Sequence, residues 1–370
     1  MTELSSGTAV GPFVVESVLG AGGMGVVYRA RDAGGNVVAL KVMSVQAAQS
    51  PEARRRFARE ARATMALSHP NVIRVLGSIA YGDVPVIAME MLCGVSLKER
   101  LAVGRRLDFE TAADTFARVA AAVGTAHAMG LVHRDLKPDN IFMLDEAPHV
   151  KVLDFGIAKI RSGGTLDASG ALTRTGMMVG TPFYMSPEQA FGDKSIDHRS
   201  DIWSLGMMLY ESLTGVLPTR STSLETVFTR LMTMPFVPVD QVDPSIPAPV
   251  ARMIDSMLQR DRERRPADLR RVYETLAAYA QGAPSQAEFD GARTPLSFSE
   301  AGPDSSLVAE PAAPIDATRA DWTLMSEGKY GGLEASDPPV IARARGDLLL
   351  WLAAVLLVVS SAIALVVFSR

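Results

Sequence analysis

Over the first ninety or so residues, hydrophobic and polar positions follow a pattern that predicts β-strands. The segments FVVESVLG, GVVYRARD and NVVALKVM are rich in β-branched residues and are separated by glycine-containing turns. One helix is predicted among them, because PEARRRFAREARATMALS has Pro51 near its start and apolar residues at helical spacing. After Leu97 long helical patterns dominate, in TAADTFARVAAAVGTAHAMG and HRSDIWSLGMMLYESLTG. The pattern therefore predicts a small β-rich lobe followed by a larger helical lobe.

The C-terminal part of the chain has two further patterns. Residues 280–346 are rich in Ala, Pro, Gly, Ser and Asp with few apolar periodicities, so they predict a disordered, flexible tether with a mean reach of about 45 Å. Residues 348–368 contain no charge over 21 positions, and a helix of that length spans about 31 Å, one hydrocarbon core. A buried core helix is the alternative, which the lack of a polar face disfavours. We expect one C-terminal transmembrane helix.

Composition narrows the class of protein. The chain is 48% hydrophobic and 21% charged, and its formal charge of −4 gives no support for a nucleic-acid partner. Because Cys93 is the only cysteine, neither an intramolecular disulfide nor a cysteine metal cluster can form. A reducing, cytoplasmic setting fits this composition.

A glycine motif and a lysine indicate nucleotide chemistry in the β-rich part. Gly20, Gly22 and Gly25 form G-x-G-x-x-G, which lets backbone amides approach phosphate oxygens. The dinucleotide-binding fingerprint has the same spacing but opens a helix, whereas VVYRARD predicts a strand here; a plain turn between strands is a third interpretation. Lys41 ends V-A-L-K sixteen residues after Gly25. A lysine ending an apolar strand must be paired or face a cleft, and the glycine loop makes a phosphate the favoured partner.

Two polar motifs follow in the helical part. Residues 133–140 read HRDLKPDN, and Asp154-Phe155-Gly156 follows the apolar run HVKVL. With the glycine loop, V-A-L-K, GTPFYMSPE at 180–188, DIWSLG at 201–206 and Arg265-Pro266, these motifs occur in the order found in protein kinases. Residues 13–279 therefore resemble the protein kinase family, and bacterial membrane-bound kinases of the Pkn type most of all. The resemblance implies the two-lobed α+β protein-kinase fold, with ATP between the lobes.

The resemblance also implies roles for residues of the second lobe. Asp135 would accept the proton of the incoming hydroxyl, and Lys137 would meet the γ-phosphate, a pattern similar to that of serine/threonine kinases. Asn140 and Asp154 would hold Mg²⁺ or Mn²⁺, since they offer the hard oxygen ligands that such ions prefer. His133 is expected to be a packed core residue, and Asp201 and Arg265 to brace the catalytic and docking loops.

Residues implied by the resemblance to bind ATP come from the glycine loop, the adenine pocket, the hinge at 89–92 that would contact adenine, and the helix that holds the lysine. They are Leu19, Gly20, Ala21, Gly22, Gly23, Met24, Gly25, Val27, Ala39, Lys41, Glu60, Glu90 and Leu92. The choice of Glu60 as the partner of Lys41 rests on the resemblance, because charge alone does not separate it from an exposed helix residue such as Glu52. Met143 or Leu144 is expected to complete the adenine pocket.

Regulation and localisation are expected from the same resemblance. Arg134 precedes Asp135, an arrangement that marks kinases whose activation loop, here 154–188, is ordered by phosphorylation. Thr173 and Thr175 resemble autophosphorylation sites, and membrane confinement favours one molecule acting on another in trans. Because ATP is required, the kinase domain is expected in the cytoplasm, with protein substrates that carry Ser or Thr acceptors.

Two alternatives belong to other functional classes. A pseudokinase scaffold would bind nucleotide or partners without turnover and predicts loss of Lys41, Asp135, Asn140 or Asp154, all of which are present. A nucleotide-binding receptor would bind ATP tightly without detectable phosphotransfer. An assay of phosphotransfer distinguishes both alternatives from an active kinase.

Overall fold

A computed structural model describes residues 4–22, 25–146, 149–155, 182–193 and 195–280. These residues belong to one compact unit, 1–307. The predicted transmembrane helix, and the predicted tether apart from Ala280, lie outside the described residues. Among the helices that the structure does describe, none combines the length and the apolar character needed to cross a bilayer.

The β-branched segments of the first lobe form a six-stranded sheet with neighbouring strands antiparallel, in the order β1-β2-β3-β4-β6-β5. Its strands are β1 Ala9–Val10, β2 Phe13–Gly22, β3 Gly25–Asp32, β4 Val37–Met43, β5 Val75–Tyr81 and β6 Val84–Glu90. Lys41 was expected to end its strand, but β4 continues to Met43. Lys41 therefore emerges from inside the sheet, where both neighbouring strands hold its backbone.

The helix predicted in the first lobe is α2 (Pro51–Ala66), which follows the short helix α1 (Val45–Ala48). It begins at Pro51 because the Ser50 side chain accepts a hydrogen bond from the Ala53 amide and because proline suits the first helical position. Phe57 and Ala61 are buried in one apolar cluster with β4 and β6. This packing presents Glu60, on the same buried side, toward the lysine of β4.

The second lobe is helical, as predicted. Its helices are α3 Leu97–Gly104, α4 Phe109–Ala128, α5 Pro187–Ala190, α6 Arg199–Thr214, α7 Leu224–Met232, α8 Val239–Val242, α9 Ala248–Met257 and α10 Arg270–Ala277. The core centres on α4 and α6, where Phe116 and Trp203 are completely buried. A Cβ added to Gly206 would lie 2.9 Å from the Met257 Cβ, so α6 and α9 approach closely only because residue 206 is glycine.

A second, three-stranded sheet lies within the helical lobe and positions the polar motifs. It consists of β7 (Gly94–Ser96), β8 (Ile141–Leu144) and β9 (Val150–Val152), in that order and antiparallel. The HRDLKPDN motif precedes β8, and Asp154 follows β9. Backbone hydrogen bonds also tie β9 to the first lobe, since the Ile73 amide donates to the Val152 carbonyl at 3.0 Å. The architecture confirms the predicted β-rich and helical lobes.

Candidate active site

The glycine motif lies in the hairpin between β2 and β3. Gly20 pairs with Val27 and Gly22 with Gly25, and the chain continues as a strand, as expected of a kinase-type loop and unlike a dinucleotide fingerprint. A Cβ added at Gly20 or Gly22 would meet no described heavy atom within 4 Å, whereas one at Gly25 would lie 2.0 Å from the Val42 carbonyl oxygen. Gly25 is therefore required by β4, while Gly20 and Gly22 leave space beside the hairpin. Gly23 and Met24 lie outside the described residues.

Lys41 joins two carboxylates that are far from it in sequence. Its Nζ lies 2.7 Å from Asp154 Oδ1 and 3.1 Å from Glu60 Oε1. The side chains of Lys41 and Glu60 are 12% and 7% exposed, whereas that of Asp154 is 45% exposed and faces the cleft. The pairing expected from the resemblance is thus present, and it uses one of the two carboxylate oxygens of Asp154.

The pKa values in this group follow from burial and mutual charge. Burial disfavours the Lys41 ammonium, but Asp154 and Glu60 raise its pKa above the ordinary value. Desolvation by the surrounding protein opposes the charge of the half-exposed Asp154, yet Lys41 holds the pKa of that carboxyl below its usual range. For Glu60 burial dominates and keeps the pKa raised, since Lys41 offsets only part of it. Near neutral pH, Lys41 is a cation and Asp154 an anion.

The catalytic loop places three polar side chains together. Lys137 Nζ lies 3.0 Å from Asp135 Oδ2, and both side chains are partly exposed. The Asn140 Nδ2 donates to the Asp135 carbonyl at 2.8 Å, which orients the amide so that its oxygen remains available as a ligand. Asn140 also fixes the next segment, because its carbonyl accepts a hydrogen bond from the Leu153 amide at 2.8 Å. Asn140 is therefore linked to Asp154 through the neighbouring residue Leu153.

A buried aspartate from α6 holds the catalytic loop in place. Asp201 is fully buried, and its two oxygens accept hydrogen bonds from the backbone amides of His133 and Arg134, each at 2.7 Å. His127 Nε2 also lies 2.8 Å from Asp201 Oδ2. Arg134 has φ +64°, a left-handed conformation that an arginine adopts only when its surroundings impose it. His133 is fully buried, as expected, and packs against Phe155 with ring centroids 4.9 Å apart.

Residues 180–188, which by the resemblance form the substrate-docking segment, are tied to the same scaffold through the described part, 182–188. Arg265 donates two hydrogen bonds to Glu188, at 2.7 and 2.8 Å, and both side chains are buried. Ser186 caps α5 by accepting from the Gln189 amide, and Gln189 Nε2 donates to the Arg134 carbonyl at 2.8 Å. Tyr184 hydrogen bonds to Glu211 of α6. These contacts connect the docking segment to the residue that precedes Asp135.

The site fits a nucleotide phosphate and a hard divalent ion. Lys41 supplies a cation at the cleft, and the hairpin has room beside Gly20 and Gly22. The Asn140 amide oxygen and the Asp154 carboxylate would supply two hard oxygen ligands, which suits Mg²⁺ because this ion keeps waters and phosphate oxygens as its other ligands. Val27, Ala39 and Leu92 share one apolar cluster at the hinge, in accordance with an adenine pocket.

Comparisons with known proteins identify the family. The family model described as "Protein kinase domain" matches residues 13–276. The chain belongs to the protein kinase family. The match ends close to the predicted domain boundary at 279.

Similar kinases are bacterial. Serine/threonine-protein kinase pkn3 of Myxococcus xanthus is 40% identical over 260 residues, which is 69% of this chain and 46% of that protein. Serine/threonine-protein kinase PknB of Mycobacterium tuberculosis is 33% identical over 323 residues, 85% of this chain and 51% of that protein. This chain thus spans about half of the length of these two relatives. The crystal structure of the Mycobacterium tuberculosis PknI kinase domain is 25% identical, with a TM-score of 0.58, and covers 75% of this chain and 100% of its own.

The structure separates the two candidates for the adenine pocket in β8, and it adds Leu153, which the sequence analysis had not named. In β8 the side chains alternate, and Met143 packs against the helical core together with the fully buried Ile141. Leu144, the other candidate for the adenine pocket, therefore lies on the opposite face, which Phe142 shares. Leu153 packs against the apolar cluster at the hinge. Its position directly before Asp154 was the one signal that could have identified it.

Proposed function

We propose that this protein is a serine/threonine protein kinase that transfers the γ-phosphoryl group of ATP to hydroxyl groups of proteins. The observation that carries the proposal is the convergence of Lys41, Asp154, Asn140 and Asp135 from separate strands and loops onto one cleft. The names of the similar Myxococcus and Mycobacterium proteins support serine and threonine as the acceptors. Lys137, placed 3.0 Å from Asp135, supports the same class of acceptor.

In this proposal each residue has a defined part in the transfer. The acceptor oxygen forms a bond to the γ-phosphorus while the bond between that phosphorus and the bridging oxygen of ADP breaks. Asp135 accepts the hydroxyl proton and passes it to solvent, and Lys137 neutralises charge on the transferred group. Lys41, held by Glu60, binds phosphate oxygens beside the glycine hairpin. Asn140 and Asp154 would hold Mg²⁺ or Mn²⁺, which supplies charge neutralisation at the phosphates when bound.

The direct test is transfer of a radiolabelled γ-phosphate from ATP to a protein substrate by the full-length chain. Hydrolysis of the product should release labelled phosphoserine and phosphothreonine. Tight ATP binding without any labelled protein would instead favour the pseudokinase or receptor interpretation.

We further propose that phosphorylation of Thr173 and Thr175 activates the kinase. Both threonines lie outside the described residues, and the proposal is supported by the surroundings of Arg134 in the catalytic loop. Among the described residues, Arg134 Nε is buried without a hydrogen-bond partner, and Arg134 Nη2 donates a long hydrogen bond, 3.4 Å, to the Ile196 carbonyl. Burial lowers the pKa of Arg134. The negative charge of Asp201 raises this pKa, whereas the positive charge of Arg59 on α2 lowers it further by repulsion. A phosphate bound at these two arginines would relieve that repulsion.

The double substitution Thr173→Ala/Thr175→Ala is expected to lower activity at least several-fold and to remove most phosphate from the purified protein. Transfer in trans predicts that the wild type phosphorylates an inactive Asp135→Asn chain on the same threonines. Mass spectrometry and initial rates measure both effects, with Thr229→Ala, an exposed threonine of α7, as the matched control. Equal activity, or absence of phosphate from both threonines in active wild type, would contradict this proposal.

We also propose that residues 348–368 anchor the protein in the membrane as a single span, with the kinase domain in the cytoplasm. The support is the uncharged apolar stretch and the need for ATP. Arg343 and Arg345 before the stretch and Arg370 after it give too small a charge difference to determine orientation.

Removal of residues 348–370 is expected to release an active kinase into the soluble fraction, because the kinase family match ends at residue 276. The full-length chain should instead sediment with membranes, resist high salt and alkaline washes, and dissolve only in detergent. Its recovery in the soluble fraction without detergent would refute the anchor.

A further inference from the structure

A second ion pair joins the two sheets at the back of the cleft. Lys151 Nζ lies 2.7 Å from Glu90 Oε1, and the two side chains are only 10% and 18% exposed. The same carboxylate oxygen accepts a hydrogen bond from the Arg74 amide at 2.7 Å, and Lys151 Nζ also donates to the Val72 carbonyl at 3.2 Å. Both charges are therefore largely removed from water and satisfied by specific partners. Such a pair contributes little net stability compared with an apolar replacement, but removal of one partner is costly because it leaves a buried charge unpaired.

The pair connects two parts of the proposed ATP site. Glu90 is the last residue of β6, pairs with Val38 of β4, and precedes Leu92 at the hinge by two positions. Lys151 is the middle residue of β9 and precedes Asp154 by three positions. Since Lys41 of β4 binds Asp154 directly, two ion pairs of equal length, 2.7 Å, hold the same short segment to the first lobe. The Lys41 pair holds this segment at Asp154, the proposed metal ligand, and the Lys151 pair holds it to Glu90 at the end of β6.

Other contacts fix β9 to the loop before β5 but not to the hinge. The Val152 amide donates to the Asn71 carbonyl at 2.8 Å, and Asn71 Nδ2 donates to the Val150 carbonyl at 2.9 Å. Burial, together with the charge of Lys151, lowers the pKa of His69 in this loop to about 4, so His69 is neutral near neutral pH and adds no second cation. Leu153, the residue after β9, packs against the apolar cluster at the hinge, but among the described hydrogen bonds and ion pairs of β9 the link from Lys151 to Glu90 is the one that reaches the end of β6.

We infer that the Lys151–Glu90 ion pair is a positioning device that sets the distance between the adenine-binding hinge and the metal-binding aspartate. This inference rests on the proposed kinase function. The Glu90 side chain is occupied by Lys151 and Arg74, so Glu90 would contribute to nucleotide binding only through its backbone. Lys151 acts through β9 on Asp154 and does not itself contact the nucleotide.

The test uses the full-length chain and four variants: Lys151→Met, Lys151→Arg, Glu90→Gln and the double variant Lys151→Met/Glu90→Gln. We expect Lys151→Met to raise the KM for ATP by about tenfold or more, with a smaller change in kcat, because displacement of a bound group by even ~1 Å is costly. Lys151→Arg keeps the charge and should restore most of the affinity. Glu90→Gln keeps an acceptor for the Arg74 amide and should behave like Lys151→Met.

The double variant separates positioning from stability. It leaves no unpaired buried charge, so its thermal unfolding midpoint should recover toward the wild-type value while its KM for ATP stays raised. Arg106→Met, which breaks a more exposed ion pair to Asp243 in the helical lobe, is the control and should leave the KM unchanged. A wild-type KM in the double variant, or in Lys151→Met, would overturn the inference. A wild type that neither binds nor turns over ATP would refute the proposed function as well. Direct measurement of the Kd of the wild type for ATP distinguishes that outcome from failure of the positioning inference alone.

Discussion

Asp135→Asn is expected to lower the rate of phosphoryl transfer by about 10²–10⁴-fold, the usual contribution of a positioned general base. The asparagine side chain has nearly the same size but cannot accept the hydroxyl proton. The loop itself should persist, because Asp201 holds it through the amides of His133 and Arg134, and Asn140 through the backbone carbonyl of residue 135. Steady-state rates with ATP and a protein substrate measure the loss, and nucleotide affinity should change little.

The matched control is Asp83→Asn, since Asp83 is exposed at the turn between β5 and β6, remote from the catalytic loop in the sequence. It should retain the wild-type rate and melting temperature. Near wild-type turnover by Asp135→Asn would show that another group accepts the proton and would remove Asp135 from the proposed mechanism.

Lys41→Met is expected to lower turnover by about 10²–10³-fold, which is typical for loss of one preorganised electrostatic group. The substitution removes the cation that pairs with Asp154 at 2.7 Å and with Glu60 at 3.1 Å. Two carboxylates then face each other without a counterion. Because burial already raises the pKa of Glu60, we expect Glu60 to take up a proton in this variant, and Asp154 to lose its fixed orientation.

Two further variants distinguish charge from geometry at this position. Lys41→Arg keeps a positive charge but presents it as a planar fork, so we expect it to remain strongly impaired. Lys98→Met removes a lysine that makes an exposed ion pair with Asp139 at 2.7 Å, and it should retain most activity. Full activity of Lys41→Met, with unchanged affinity for ATP, would exclude Lys41 from phosphate binding.

Much of the fold was predictable because local patterns agree with tertiary structure. The β-branched segments became β2, β3 and β4, and the helix expected after Pro51 begins at that residue, where Ser50 provides the cap. The long helical stretches became α4 and α6, which are largely buried and form the core of the second lobe. Periodicity, capping residues and glycine turns are short-range signals, so they can be recognised in the sequence without knowledge of distant contacts.

The side chains of the site could also be predicted from the sequence, because kinase chemistry needs particular side chains at short spacings. Lys137 two residues after Asp135, and Asn140 five residues after it, occupy one loop, so the sequence itself brings them together. Which glutamate holds Lys41 was not decided by charge. Only the packing of Phe57 and Ala61 against β4 and β6 places Glu60, and not the exposed Glu52, beside the lysine.

Tertiary structure alone decided the contacts between residues far apart in the chain. By itself the sequence determined that the chain has a β-rich lobe, a helical lobe and the side chains that phosphoryl transfer requires. It did not determine that Lys151 would meet Glu90 across 61 positions, or that Met143 would face the core while Phe142 faces away. A lysine or a methionine has the same local pattern whether it is buried in an ion pair, packed in a core or exposed. Its role depends on which partner the fold brings within about 3–4 Å, and that depends on how the lobes and sheets pack together.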